Sequence, residues 1–309
     1  MTQQTKEILE YKNQIDEDEI DLKELFITIL KYKYKILGFT FIVVLCTLFY
    51  VLSIPNSYKS QVILTPQSEE KSAGGGLASL ASLAGVSLGG ASSKDPFTMM
   101  ETTLKDYDFN SYIIRKYELI EKFENPQNLV FAMGIDLFYS KPEKSENKSE
   151  EEKIFDINKE LAKILSISKE KESGLITLSA EYIDRFFAKE LVDIYLKELI
   201  EKIKQQDMKE IDKQIEYYNK ELNSTYDVSL KEQLSKSLSA LMQKRVFSVA
   251  NDYYFVSKLT DTRVAYIKEK TKPKRGLILV VSAVTSIILG IFIAFFLEFL
   301  KSNRDEKQL

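Results

Sequence analysis

The sequence predicts an α+β fold in which two transmembrane helices bracket an extramembrane α/β base domain with a long, extended helical arm. Two uncharged apolar runs, residues 36–54 and 276–297, are each long enough to cross a bilayer, which takes about 20 residues. Between them, period-two alternation predicts strands, and apolar residues at three- and four-residue spacing predict helices, one of which is unusually long.

Both apolar runs are predicted to be membrane helices, because neither offers a polar face to solvent. The first run lies too far inside the chain, and lacks the small-residue cleavage site, to be a removed signal peptide, so we interpret it as an uncleaved anchor. The predicted organisation is a tail at 1–35, a span at 36–54, a domain at 55–275, a span at 276–297 and a tail at 298–309.

Basic residues near both runs bear on the orientation of the chain. By the positive-inside rule, those on the terminal sides favour two cytoplasmic tails. They are Lys31, Lys33, Lys35, Lys301, Arg304 and Lys307. A second group, just before the second run, opposes this orientation: Lys270, Lys272, Lys274 and Arg275. Cytoplasmic tails are still favoured, because a long intervening domain translocates largely regardless of its charge.

The composition excludes most catalytic chemistry. The chain has no His, so the usual acid–base group at neutral pH and the commonest metal ligand are both absent. Its one Cys, Cys46, lies in the first apolar run, and no HExxH, CxxC, EF-hand or GxGxxG motif occurs. Lys94 is followed by Asp95, whereas a phosphate-binding loop needs Ser or Thr there. We therefore predict no catalytic, cofactor-binding or metal-binding residues, and the net charge of −3 argues against nucleic-acid binding.

The first half of the domain is predicted to mix strands and helices. A strand at Tyr58–Pro66 is ended by its proline, and a helix runs from Asp95 to Phe123. The charged run Lys141–Lys153 is interpreted as a solvated surface loop. Two alternating segments around the turn KEKESG then predict a β-hairpin.

The second half of the domain is predicted to be mainly helical. A long helix runs from Asp184 to about Leu222, and five of its residues step by 3, 4, 3 and 4, as in a coiled-coil seam. They are Met208, Ile211, Ile215, Tyr218 and Leu222. This pattern alone allows the seam to pack either on the chain's own domain or on another protomer. A second helix at about Ser229–Val249 and a strand at Asp252–Leu259 follow.

Three further features suggest contacts rather than chemistry. Residues 73–94 are rich in Gly, Ala and Ser, and we predict a flexible loop. Its leucines fit one side of a short helix: Leu77, Leu80, Leu83 and Leu88. Pro273, Arg275 and Gly276 form a membrane-entry motif, in which the proline stops a helix from running into the span. The pairs Tyr217–Tyr218 and Tyr253–Tyr254 could stack on sugar rings, although such tyrosines more often pack in cores.

In this order, the segments resemble the Wzz-type chain-length determinants, which are polysaccharide co-polymerases of bacterial inner membranes. The resemblance lies in EIDLKELFITILKYKYKI and YKSQVILTP around the first span, in GLITLSAEYIDRFFAKELVDIYLKELIEKI, and in DYYFVSKLTDTRVAYIKEKTKPKRGLI before the second. The chain departs from the family in having one proline, Pro273, where the family commonly has several. The run Lys141–Lys153 also looks like an insertion.

The resemblance implies a two-pass inner-membrane protein with two cytoplasmic tails and a periplasmic domain that has no catalytic residues. It implies a ring-like homo-oligomer that acts with a Wzy-type polymerase on lipid-linked glycan. That assembly would set the modal length of O-antigen, in lipopolysaccharide biosynthesis, or of a related glycan. The resemblance also implies that the seam packs on a neighbouring protomer, and that the Gly-rich loop with its leucines either is mobile or lines the ring interior.

The main alternative is a co-polymerase or export component of a capsule or exopolysaccharide system, of the ABC-exporter or separate-kinase type. The autokinase type carries an ATPase domain and a tyrosine-rich tail, and the C-terminal segment KSNRDEKQL has neither. A two-span sensor would need a cytoplasmic output domain, and a periplasmic hydrolase would need a catalytic constellation. Both are disfavoured by the sequence.

Overall fold

In the computed structural model, the described residues are 22–67, 95–134, 139, 148–253 and 255–305. They divide into two units. The first contains the two long apolar helices near the ends of the chain, and the second contains an antiparallel sheet with the remaining helices. The predicted α+β class, with two apolar helices bracketing a central domain in the sequence, is confirmed.

Two helices of the first unit are long and apolar enough to cross a membrane: α1 (Leu22–Leu52) and α8 (Arg275–Asp305). Their candidate spans, Leu25–Leu52 and Arg275–Lys301, are longer than the apolar runs. The flanking basic residues belong to the same helices, because Lys and Arg are good helix formers whose long side chains can reach the headgroup level.

Helices α1 and α8 pack through small residues that recur every four positions on one face of α8. These residues are Ser282, Ser286, Gly290 and Ala294. A Cβ added at Gly290 would lie 3.1 Å from Cγ2 of Ile36 on α1, so the backbones are close there. The hydroxyls of Thr47 and Ser282 are hydrogen-bonded at 2.8 Å. In lipid, close backbone approach and polar contacts of this kind hold helices together, because apolar surface alone gives no preference for another helix over lipid.

The two helices are also tied near both ends. The guanidinium of Arg275 donates to the carbonyl oxygens of Val51 at 3.2 Å and Ile54 at 2.9 Å, where the end of α1 leaves carbonyls without helical partners. Towards the other end, the carboxylate of Glu298 accepts from Lys31 Nζ at 2.6 Å and from the hydroxyl of Tyr32 at 2.8 Å.

The second unit is built on a five-stranded antiparallel sheet. Its strands are β1 (Ser57–Pro66), β2 (Leu165–Lys169), β3 (Ile176–Tyr182), β4 (Val256–Lys258) and β5 (Lys270–Lys272). The order is β2-β3-β1-β4, and β5 also pairs with β1. One edge of β1 pairs with β3 from Tyr58 to Leu64, while β5 and β4 pair with its first and last residues.

One face of the sheet is buried and the other is open. On β1, Tyr58, Val62 and Leu64 are fully buried, while Lys59 and Gln61, between them, are exposed. The pairing register continues this alternation onto β3, whose buried Ile176, Leu178 and Ala180 lie beside β1. This is the pattern of an antiparallel sheet with helices on one side, because successive side chains point to opposite faces.

The helices of the second unit are α2 (Pro96–Leu104), α3 (Tyr107–Lys116), α4 (Leu119–Glu124), α5 (Glu150–Ile164), α6 (Arg185–Ser224) and α7 (Val228–Ala250). A 3₁₀ turn spans Ala132–Gly134. Helix α6 packs directly on β1 and β3, and α2 packs on α6. The apolar core lies between these layers and contains side chains from α2 to α6 and from β1 to β4.

The predicted single helix over Asp95–Phe123 is wrong, because three short helices occupy this stretch. The carboxylate of Asp106 accepts from the backbone N–H of Asp108 at 3.2 Å and starts α3. The side-chain amide of Asn110 donates to the carbonyl of Leu104 at 2.9 Å and closes α2. Glu118 has a left-handed backbone, with φ of 50°, and separates α3 from α4.

The predicted surface loop over Lys141–Lys153 is wrong at its end, because α5 begins at Glu150. Ser149 and Glu152 form a capping box that satisfies backbone N–H groups at the helix start. The buried face of α5 repeats at spacings of 3, 4 and 3 residues and consists of Ile154, Ile157, Leu161 and Ile164. Residues 141–147 lie outside the described residues.

The other predicted elements differ mainly in their ends. The β-hairpin is confirmed as β2 and β3. Helix α6 starts after Asp184, whose carboxylate accepts from the N–H groups of Phe186 and Phe187, and it ends at Ser224. The predicted strand Asp252–Leu259 shrinks to β4, because β4 pairs only with the last three residues of β1. Strand β5 was not predicted, since Lys-Thr-Lys has no apolar alternation.

Replacing Gly290 with Leu should separate α1 from α8, because Ile36 leaves little room for a side chain there. We propose oxidative cross-linking through Thr47→Cys and Ser282→Cys, in a chain that also carries Cys46→Ala. The expected result is a clearly lower yield with Gly290→Leu. Gly38→Leu is the matched control, since nothing lies within 4 Å of its added Cβ. Equal yields from the two variants would contradict the close packing.

Candidate functional site

Among the described residues, no group of three or more His, Cys, Asp or Glu side chains could hold a metal ion. Cys46 is exposed on α1, within a candidate span. The candidate site described below is a surface. It has two parts. The arm (residues 204–250) is the hairpin formed by α7 and the part of α6 beyond Ile203, and the base consists of the sheet, helices α2–α5 and the first part of α6.

The base holds the first half of α6 through a nearly continuous buried face. Leu191, Tyr195 and Leu199 have no exposed area and lie in the apolar core with β1 and β3. Beyond Ile203, the described side chains of α6 are exposed or half-buried except for Ile211. The same helix therefore begins as a core element and continues as the first half of the arm.

Glu198 links α6 to α3 and to Tyr117, the residue that caps the C-terminus of α3. Its carboxylate is only 5% exposed, and it accepts from Lys116 Nζ at 2.9 Å and from the hydroxyl of Tyr117 at 2.7 Å. Burial acts to raise the pKa of Glu198, but the two hydrogen bonds and the charge of Lys116 outweigh it, so the pKa is lowered. Glu198 is therefore ionised at neutral pH and fixes α6 against α3.

A second polar link lies beside it in the core. The hydroxyl of Tyr195 donates to Asn110 Oδ1 at 2.9 Å, and the Asn110 amide donates to the carbonyl of Leu104 at 2.9 Å. Burial raises the pKa of Tyr195, so its hydroxyl keeps its proton and remains a donor. Because Glu198 and Tyr195 are buried and both have hydrogen-bond partners, the two links fix how α6 packs against α3.

The arm is an antiparallel hairpin. Helix α7 starts at Asp227, whose carboxylate accepts from the N–H of Leu230 at 2.9 Å. At the open end of the hairpin, opposite its turn, Lys204 Nζ donates to the carbonyl of Asn251 at 3.1 Å. Further out, Arg245 and Asp212 form an ion pair at 2.6 Å, but both are about half exposed, so the pair adds little stability.

The predicted seam lies along this hairpin. Ile211 is only 4% exposed, and the other four residues, Met208, Ile215, Tyr218 and Leu222, are half-buried. Across from α6, the half-buried apolar side chains of α7 are Leu234, Leu238, Leu241 and Phe247. The seam therefore contributes to packing within one chain, and any contact of these residues with a neighbouring protomer stays a prediction.

A different apolar stripe is exposed on the arm. Met242, Val246 and Val249 lie on one face of α7, at spacings of four and three residues, and are 47%, 66% and 61% exposed. Sequence reasoning missed this stripe because four leucines of α7, at spacings of 4, 4 and 3 residues, gave a stronger periodic signal. They are Leu230, Leu234, Leu238 and Leu241. The signal that could have found it is a second apolar face on the same helix.

The other predicted residues are dispersed. The candidate loop residues Leu77, Leu80, Leu83 and Leu88 lie outside the described residues. In the membrane-entry motif, Pro273 follows β5, and the guanidinium of Arg275 donates to carbonyls at the end of α1. Gly276 has open space around it, because a Cβ added there would contact no neighbouring element within 4 Å. Tyr217 is 60% exposed on the arm, whereas Tyr253 packs against the core.

The beginning of the chain matches a known family. Residues 18–113 match Wzz, the chain length determinant protein. The predicted resemblance is thus confirmed over a stretch that contains α1, β1, α2 and most of α3. No match is found among curated proteins. Among solved structures, a full-length bacterial polysaccharide co-polymerase is similar at 11% identity, with a TM-score of 0.40 over 92% of this chain and 99% of the other.

Glu198→Gln should weaken the packing of α6 on α3. Because the pKa of Glu198 is lowered when folded, its stabilisation is present above its ordinary value of 4.5 and is lost as the pH falls through the lowered pKa. At pH 7 we expect Glu198→Gln to lower the free energy of unfolding by about 1.5–3 kcal/mol, which is typical for the loss of hydrogen bonds to a charged group.

The measurement is denaturant unfolding of the full-length protein in detergent, from neutral pH to below pH 4.5. The difference in free energy of unfolding between Glu198→Gln and the unsubstituted protein should shrink towards low pH, because the unsubstituted protein loses the same stabilisation there. Glu201→Gln is the control, because Glu201 is exposed on the same helix. A loss that does not change with pH would show that the carboxylate charge is not what stabilises the base.

Proposed function

We propose that this protein is a non-catalytic membrane scaffold that regulates the chain length of a surface polysaccharide. The observation that carries the proposal is the match of residues 18–113 to the chain length determinant family. Two further features support the same function. In the sequence, membrane-length helices precede and follow a domain of helices and strands, and that domain carries the arm. The absence of His from the chain also favours a scaffold over an enzyme.

We further propose that α1 and α8 cross the bacterial inner membrane, with both tails in the cytoplasm and residues 55–275 in the periplasm. Lys31, Lys33 and Lys35 are exposed near the terminal end of the first candidate span, as the positive-inside rule requires of a cytoplasmic side. We keep the predicted spans, 36–54 and 276–297, as the apolar centres of these longer helices.

The exposed stripe of Met242, Val246 and Val249 supports assembly into a homo-oligomer, ring-like in our proposal. Three exposed apolar side chains on one helix face are costly in water, and contact with another protomer would remove them from solvent. The seam Met208–Leu222 then stiffens each arm, and the stripe joins neighbouring arms. In a closed ring, every protomer would use the same pair of surfaces.

Assembly suggests how such a scaffold could set length without catalysis. A ring presents the same surface several times, and repeated weak contacts raise the effective concentration of a bound partner. We propose that the partners are a Wzy-type polymerase and its lipid-linked glycan. The chain would be extended while it stays in reach of the scaffold, so arm length and ring size would set the modal length of O-antigen or a related polysaccharide.

The function is tested by deleting the gene in its native host and separating the surface glycan by size. We expect glycan synthesis to continue while its modal length is lost, and the intact gene to restore it. An unchanged length distribution would contradict the proposal. Loss of all surface glycan would instead favour the alternative, an export component of a capsule or exopolysaccharide system.

The assembly is tested by Val246→Asp, which places a charge in the exposed stripe. We expect smaller oligomers in detergent, measured by light scattering, and an altered glycan length, because a charge buried without a partner disfavours the contact. Gln233→Glu is the matched control, since Gln233 is exposed on the face of α7 opposite the stripe and the change adds the same charge. Oligomers of unchanged size with Val246→Asp would rule the stripe out as the contact.

A further inference from the structure

A tight turn precedes β5, and its shape is fixed by its own contacts. The N–H of Glu269 donates to the carbonyl of Tyr266 at 2.8 Å, and the N–H of Tyr266 donates to the Glu269 carboxylate at 3.1 Å. The same carboxylate accepts two bonds from the guanidinium of Arg263, at 2.9 and 3.1 Å. Because such a two-pronged pair fixes both partners, the turn is ordered before any ligand binds.

The tip of the turn holds apolar side chains in solvent. The hydroxyl of Tyr58, whose side chain is in the core, donates to the carbonyl of Ile267 at 3.3 Å and fixes the backbone of the tip. Yet the residues at the tip face outward, since Tyr266 is 60% exposed and Ile267 is 47% exposed. A fixed turn that exposes Tyr and Ile is suited to an interface between water and an apolar phase.

The same segment carries positive charge. Lys268 and Lys270 are exposed, and neither forms an ion pair with the part of the chain that the structure describes. The nearby carboxylates are already engaged: Glu269 is bound to Arg263, and Glu181 accepts from Thr271 and Lys272. The two lysines therefore present uncompensated charge next to Tyr266 and Ile267.

The segment is close in sequence to the second candidate span. Lys270 is five residues before Arg275, where α8 begins, which limits their separation to about 18 Å even if the chain is fully extended. On β1, Ser57 pairs with Lys272, so the strand that follows α1 and the strand that precedes α8 meet at one corner of the sheet. The turn leads directly into that corner.

We propose that the segment Tyr266–Lys270 docks on the headgroups of anionic phospholipids, at the surface of the membrane crossed by α1 and α8. This rests on the proposed two-span topology. Tyr266 and Ile267 would enter the interfacial layer, and Lys268 and Lys270 would lie beside lipid phosphates. Such docking gives a role to Lys270, one of the basic residues that oppose the positive-inside rule, because a charge at that surface would hold the domain rather than orient the spans.

The test is hydrogen exchange of the full-length chain in nanodiscs of phosphatidylcholine, alone or mixed with phosphatidylglycerol. We expect the amides of Ile267, Lys268 and Lys270 to exchange more slowly when phosphatidylglycerol is present, and high salt to remove the difference. One lysine near an anionic membrane surface raises the affinity for that surface about fivefold. Replacing both lysines, Lys268→Gln with Lys270→Gln, should therefore lower the affinity of the segment for the membrane about 30-fold and abolish the protection.

The control removes two lysines from the arm, Lys209→Gln with Lys213→Gln, which are exposed on α6 and should leave the protection intact. Equal exchange in the two kinds of nanodisc would overturn the proposal, as would protection that survives the Lys268 and Lys270 changes. Protection by soluble glycerol phosphate in phosphatidylcholine nanodiscs would also overturn it, because the ligand would then be a free phosphate. Glycan length in the deletion strain tests the proposed function separately.

Discussion

Strand β1 is paired along both of its edges, and the arrangement of the second unit depends on this pairing. On one edge β3 follows it from Tyr58 to Leu64, and on the other edge β5 and β4 take its two ends. One strand therefore connects segments that are far apart in sequence. In the sequence, β1 follows α1 after four residues, 53–56.

The buried face of that strand positions the arm. Helix α6 packs on β1 and β3 with its first half, and its second half continues as the arm without a break in the helix. The ionised Glu198 and the neutral Tyr195 hold the packed half at two points. Since a buried polar group that loses its partner is costly, a change of the arm's angle would be opposed at both points.

Local signals predicted the elements that depend on local chemistry. Asp184 and the seam predicted α6, and alternation predicted β2 and β3, because capping and periodicity act within a few residues. Strand β5 escaped prediction because Lys-Thr-Lys becomes a strand only through its partner β1. The exposed stripe of α7 escaped for a related reason: which of two apolar faces is buried depends on the neighbouring helix, and short-range patterns do not contain that information.

The contacts near the ends of α1 and α8 restrict how the membrane pair can move. Sliding one helix along the other by a single residue shifts it by about 1.5 Å. Such a shift would pull Arg275 away from the carbonyls of Val51 and Ile54, and at the opposite end would stretch the bonds of Glu298 to Lys31 and Tyr32. Sliding of one helix along the other is therefore opposed near both ends of the pair. A rotation or tilt of the two helices as one body would leave all four of these hydrogen bonds intact.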